Sequence, residues 1–167
     1  MISVNDKLLI NDQVKIISDR LNIPFTTVKS IVKAYTNLLV EEVHLGMEVR
    51  VGYLLRIIPE TKTNNFIATT GYEASVISKN LSIPYITCIS VLTSYLDLVV
   101  ESIQSQKNFD IVGLVNIKSK WVESDKELKI YTNISRILSD DLKEMGKSVR
   151  VKLNINVRHL LKNGVAV

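Results

Sequence analysis

Ile17-Ser18-Asp19-Arg20-Leu21-Asn22-Ile23-Pro24-Phe25 returns sixty residues later as Ile77-Ser78-Lys79-Asn80-Leu81-Ser82-Ile83-Pro84-Tyr85. The match continues through Thr27/Thr87, Ser30/Ser90, Tyr35/Tyr95, Leu38/Leu98, Val40/Val100 and Glu41/Glu101, and 11 of the 25 positions from 17 to 41 are identical. Amphipathic periodicity alone does not preserve an Ile-Pro-aromatic step, so the chain carries a duplicated module. With one extra residue in the second copy, Val51-Gly52 then meets Val112-Gly113.

Both copies read the same way. A short helix, over 12–21 and 72–81, stops at a polar residue followed by Ile-Pro. Proline suits the first turn of a helix, so Pro24 and Pro84 open a second, longer one. Along it Val28, Ile31, Val32, Tyr35, Leu38, Leu39 and Val43 share one face, as do Cys88, Val91, Leu92, Tyr95, Leu98, Val99 and Ile103 in the second copy. Cys88, the only cysteine in the sequence, therefore reads as a packed small hydrophobe rather than a nucleophile. A lone cysteine also excludes an intrachain disulfide and a multi-cysteine metal site. Strand patterns follow each long helix, at 48–55 and 108–117.

Short helix, turn, long helix and a strand pair around a Gly-apolar step resemble the bacterial histone-like HU and integration host factor family. Gly113-Leu114-Val115-Asn116-Ile117 is similar to that family's Gly-Phe-Gly-Asn-Phe turn, and Gly52-Tyr53-Leu54-Leu55 is a weaker echo. The resemblance spans about residues 10–58 and 70–131. It implies an α+β fold of two tandem modules, 1–70 and 71–132, packed as an intrachain pseudo-dimer, with a helix-strand extension over 133–167. The energetics agree, since a single ~60-residue copy is marginal and two sharing a core bury more of their surface.

The family bends DNA with long basic arms whose Arg-Asn-Pro tips wedge between base steps. This chain contains no Arg-Asn-Pro. Thr61-Lys62-Thr63-Asn64-Asn65 reads as an ordinary hairpin turn, and 118–130 as a second short hairpin with acids at its turn. No DNA-bending residue carries over. Two functions follow from the resemblance. One is a structural subunit: tailed bacteriophages encode proteins with this fold, which implies a virion component such as a neck or head–tail ring subunit. Its partners are then other protein subunits, in a homo-oligomeric or virion assembly. The other is a histone-like protein with shortened arms that binds duplex DNA non-specifically. An interaction or regulatory module is a third reading. The expected location is the virion or the cytoplasm of a bacterial host, with no membrane partner.

Composition narrows the classes further. Of 167 residues 46% are hydrophobic and 23% charged, which excludes a disordered, low-hydropathy chain. The first residues lack the basic start and apolar core of a secretory signal, and acids such as Glu41 and Glu42 interrupt the apolar runs. The net charge of +4 divides into −1 over 1–106 and +5 over 107–167, so a polyanion is expected to meet the second half. Lys118, Lys120, Lys126, Lys129, Arg150 and Lys152 are the candidate phosphate or partner contacts.

The last third of the chain supplies the context for these residues. Asn133 or Ser135 caps a helix that runs through Glu144 and stops at Gly146. Residues 149–157 alternate as a half-buried strand with Arg150 and Lys152 on its polar face, there either to contact phosphate, to face solvent or to guard a strand edge. Its apolar face either completes the second module's sheet or meets a neighbouring subunit. Trp121 beside Lys118 and Lys120 either stacks a base or packs over the hairpin root. Residues 158–164 form a short helical turn or a docking tail. No catalytic constellation assembles: there is no Gly-rich phosphate loop, and the two histidines, His44 and His159, lack metal-ligand spacing. Glu41-Glu42 and Asp140-Asp141 are helix neighbours that diverge by about 100°, and read as solvated faces. No enzyme activity, metal or cofactor is expected.

Overall fold

The computed structural model describes residues 7–154. These form an α+β structure with the order β1 (Lys7–Leu8), α1 (Ile10–Leu21), α2 (Phe25–His44), β2 (Val49–Val51), β3 (Leu55–Pro59), α3 (Thr70–Leu81), α4 (Tyr85–Gln104), β4 (Asn108–Ile111), β5 (Val115–Val122), β6 (Glu127–Ile134), α5 (Arg136–Glu144) and β7 (Val149–Leu153).

The repeated motif makes a repeated turn. α1 ends at Asn22 (φ 55°) and α3 at Ser82 (φ 54°), both left-handed. The Ser18 and Ser78 hydroxyls each donate to the carbonyl of the isoleucine five residues on, at 2.6 Å. Pro24 and Pro84 then hold φ near −52° just outside the helices, which begin at Phe25 and Tyr85, one residue later than expected. α1 packs on both α2 and α4, α3 packs on the same two, and the long helices cross each other. Tyr35, Leu39, Tyr95 and Val99 are fully buried where they meet, and Cys88 lies in the same core. Burial of this kind contributes about 1.5–3 kcal/mol per large apolar side chain. By length and composition α4 is apolar enough to cross a membrane, contrary to the sequence expectation, but half of it is buried in this core.

The sheets carry the main surprise. The first sheet, built on the first copy's strands, has the order β2-β3-β7, and the second, built on the second copy's, has the order β1-β4-β5-β6. The expected hairpin after β3 is absent: residues 60–69 contribute one parallel bridge, Met47 to Asn64, before α3 begins. The third strand of the first sheet is instead β7. Nor does β7 complete the second sheet, one of the two alternatives the sequence left open, because the β5–β6 hairpin already fills that place through a local turn. The two third strands are equivalent in register. Leu55 faces Leu153 as Val115 faces Ile134, and Val51 pairs with Leu55 as Ile111 does with Val115, so the sixty-residue offset runs through the turn and the extra residue expected in the second copy is not there. The Asn154 amide donates to the Leu54 carbonyl at 3.0 Å, just as Ser135 donates to Leu114 at 2.9 Å.

Packing explains the choice. Val49, Val51, Leu55 and Ile57 form a buried inner face that two strands leave half covered, and Val149, Val151 and Leu153 extend it. α5 delivers β7 to that edge, burying Leu138 and Leu142 on the way and ending before Gly146 at φ 68°. Residues 155–157 of the expected strand, and 158–164, lie outside the described residues.

Candidate nucleic-acid and partner interface

Alternation along the strands sends apolar side chains to the helices and polar ones to the outer faces. On the outer face of the first sheet, register sets Arg50 directly opposite Arg56, and Arg56 opposite Lys152. Arg150 follows on the same face, opposite Ile58. Like charges in directly opposed positions are destabilising. One acid offsets this row among the described ion pairs: Glu48 Oε2 lies 3.3 Å from Arg50 Nε and 3.8 Å from Arg56 Nη1.

The corresponding row in the second sheet is Asp110, Asn116 and Asn133. Asp110 is paired with Lys7 at 3.0 Å. The same structural row is thus triply cationic in one sheet and acid–amide–amide in the other. The charge tally by sequence halves does not show this placement. Arg150 and Lys152 belong to the basic C-terminal stretch, yet they join the first sheet, beside arginines that sequence halves had assigned to a near-neutral region.

The other candidates lie on the second sheet. Lys118 faces Tyr131 across the hairpin and Lys120 faces Lys129, all toward solvent. Lys129 is bonded to Asp125 at 2.9 Å, and that hydrogen bond raises its pKa. Lys126 sits exposed in the hairpin turn with φ 48°. Lys118, with Lys7, Asn108, Asn116, Asn133 and Arg136, lines an open cleft of about 460 Å³. Lys118, Lys120, Arg150 and Lys152 have no acidic partner among the described ion pairs. The six candidates are therefore split between two sheets, whose edges come close at β6 and β7.

Trp121 does not join the lysines. One residue on from Lys120, it points to the opposite face, opposite Leu128, and packs against the core. Its backbone amide donates to Gln106 Oε1 and its indole Nε1 to Glu123 Oε2, both at 2.8 Å. The hairpin turn carries Glu123 and Asp125, and the described residues hold no proline-tipped arm.

A different surface is apolar. Phe66 and Tyr72 meet edge to face with ring centroids 5.0 Å apart, both about half exposed. The Tyr85 hydroxyl closes on Gly71, next to Tyr72, and Ile86 is 70% exposed. The first copy has Asp12, Phe25 and Thr26 at the places of Tyr72, Tyr85 and Ile86. Of those three positions the first copy keeps an aromatic side chain at one, Phe25.

One acid also departs from expectation. Glu41 is exposed, but Glu42 turns inward, is 3% exposed and faces Glu73 of α3. The 100° helical step that separates neighbours is what drives Glu42 into the core. Asp140 and Asp141 remain on the surface, where His44 Nε2 lies 3.8 Å from Asp141 Oδ2. Arg50, Arg56 and Glu73 were missed by sequence reasoning. The alternation in Val49-Arg50-Val51 and Leu55-Arg56-Ile57 carried the signal for the arginines, but their convergence on Lys152 depends on a pairing between distant segments. Compared with known proteins, the chain matches no family model, and no curated protein matches it.

Proposed function

We propose that this chain is a non-enzymatic structural protein, two HU/IHF-like modules packed as a pseudo-dimer, that serves as an assembly subunit of a tailed-phage virion, such as a neck or head–tail ring. The observation that carries the assembly reading is the exposed cluster of Phe66, Tyr72, Tyr85 and Ile86. Large aromatic groups gathered on one surface fit a protein partner, where aromatic residues are enriched in the buried centre of interfaces. The module reading is supported by the sixty-residue repeat, its matching turns and the equivalent sheet registers. The virion, and the bacterial cytoplasm before assembly, follow from the family resemblance. Light scattering across a concentration series tests self-assembly. Oligomers that dissociate when Tyr72 and Tyr85 are both changed to Ser support it, and a concentration-independent monomer removes the homo-oligomeric form.

A second reading is a histone-like protein with shortened arms. The Arg50–Arg56–Lys152 row favours it, because a row of cations with one acid is suited to a phosphate backbone. Duplex binding whose affinity falls steeply with salt supports this reading. Weak binding at every ionic strength leaves assembly as the function.

A further inference from the structure

Glu42 on α2 and Glu73 on α3 face each other across the contact between the two copies, at 3% and 0% exposure. None of their four carboxyl oxygens has a hydrogen-bond partner of good geometry, and neither does the neighbouring Tyr35 hydroxyl. The repeat supplies the contrast. Gln13 holds the place of Glu73 on α1, equally buried, and its Nε2 donates to the Leu8 carbonyl at 2.9 Å and the Asp110 carbonyl at 3.2 Å. The counterpart of Glu42 on α4 is Ser102. A neutral amide ties α1 in place, where α3 presents an acid to an acid.

Two ionised carboxylates do not share a dry site, because desolvation and mutual repulsion act together. One proton between them replaces repulsion with a charge-assisted hydrogen bond. The titratable groups around the pair are Tyr35 and Glu41, both on α2, and neither supplies positive charge. No lysine, arginine or histidine is paired with either carboxyl among the described ion pairs. Burial raises both carboxyls above the ordinary range, Glu73 to about 10.

We propose that Glu42 and Glu73 hold one proton between them, and that its loss at alkaline pH releases α3 from α2 while α1 stays seated on α4. The two-point Arg20–Glu101 pair, at 2.6 and 2.7 Å, joins α1 directly to α4, while Gln13, which does not titrate, ties α1 to β1 and β4. The sign follows from linkage. Unfolded Glu73 ionises near 4.5 and folded Glu73 keeps its proton, so the stability present below that value is lost as pH climbs toward 10.

Infrared spectroscopy and hydrogen exchange of the whole chain test this. At about pH 8, above the ordinary carboxyl range, the wild type is expected to show the carbonyl stretch of a protonated carboxylic acid, and Glu73→Gln to lack it. Amide exchange, corrected for its intrinsic pH dependence, should accelerate in α3 but not in α1 as pH rises. Glu73→Gln should remove that contrast and raise the alkaline melting temperature. The absence of a protonated-acid band in the wild type, or equal acceleration of α1 and α3, overturns the proposal, and neither result depends on the variant folding. A melting temperature raised by added Ca²⁺ or Mg²⁺ in the wild type but not in Glu73→Gln also overturns it, since a cation then holds the pair.

Discussion

Tyr35 and Tyr95, counterparts in the repeat, meet edge to face with ring centroids 6.0 Å apart and planes inclined by 84°. Contact between counterparts is what the proposed pseudo-dimer calls for near its twofold axis. Tyr95 also meets Phe109 at 5.5 Å, so the contact between the long helices continues into the second sheet. Both tyrosines are fully buried, and neither hydroxyl has a hydrogen-bond partner.

The rings hold the fold together, and the hydroxyls do not. Tyr95→Ala is expected to cost about 3–5 kcal/mol, as for other large aromatic truncations. Tyr95→Phe should cost nothing, or stabilise by up to about 1 kcal/mol, because it removes a polar group that is buried without a partner. Urea titration of both variants measures the difference. A substantial loss in Tyr95→Phe would show that the hydroxyl is bonded after all.

Deletion of residues 149–167 should damage the first sheet, not the second. β3 then loses the strand opposite Leu55, Arg56 and Ile57. Hydrogen exchange is expected to show β2 and β3 amides deprotected, with β5 and β6 still protected. Equal protection of both sheets in the truncated chain would contradict the observed pairing.

Gly52 and Gly113 lie in equivalent turns but one position apart, Gly52 directly after Val51 at φ 55° and Gly113 second after Ile111 at φ 77°, and their surroundings differ. A Cβ on Gly52 would lie 2.6 Å from Leu96 Cδ1, whereas one on Gly113 meets nothing closer than 3.7 Å. Gly113→Ala should cost about 1–2 kcal/mol for the left-handed backbone alone. Gly52→Ala should cost more, since Leu96 must also move. Thermal melts of the two variants give the order directly.

Gln13→Glu tests the counterpart of the buried acid pair. The substitution removes both amide bonds and buries a carboxyl, at an expected cost of roughly 2–4 kcal/mol at neutral pH. Burial raises the folded pKa of the introduced group, so the deficit is smallest below about 4.3 and grows as pH rises above it. A deficit independent of pH would show that the new carboxyl reaches water.

The cation row predicts a stabilising charge removal. Arg56 faces a cation on both sides, so Arg56→Gln should gain about 0.2–1 kcal/mol at low salt. Salt screens the repulsion, and the gain should vanish at high ionic strength. On the DNA-binding reading, the same change lowers the slope of log affinity against log salt by about 0.9.

The sequence made the helical half of the protein legible. Ile-Pro steps, αL-compatible Asn22 and Ser82, and two apolar stripes each act within a few residues, so local pattern was enough. The β5–β6 hairpin was legible for the same reason. The pairing of β3 with β7 was not, because the segment after Pro59 has the composition of a turn, and nothing local marks a partner some ninety residues away. The cation row was hidden by that one pairing. Arg150 and Lys152 were identified, but the arginines beside them depend on a register that only the folded chain displays. Glu42 was misread for a different reason. Its face of the helix is defined by α3, and an isolated helix pattern does not contain its neighbour.

The position of β7 sets an order of events during synthesis. A chain leaving the ribosome presents α1 through β3 first, yet the strand that completes their sheet emerges after everything else described here. The second copy closes its own sheet as soon as β6 is out. The earlier-made half therefore waits with the edge of β3 unpaired, and an unpaired edge is where chains join one another wrongly. The part translated first is the part finished last, and slow translation or a premature stop before Val149 would leave that edge open to other chains.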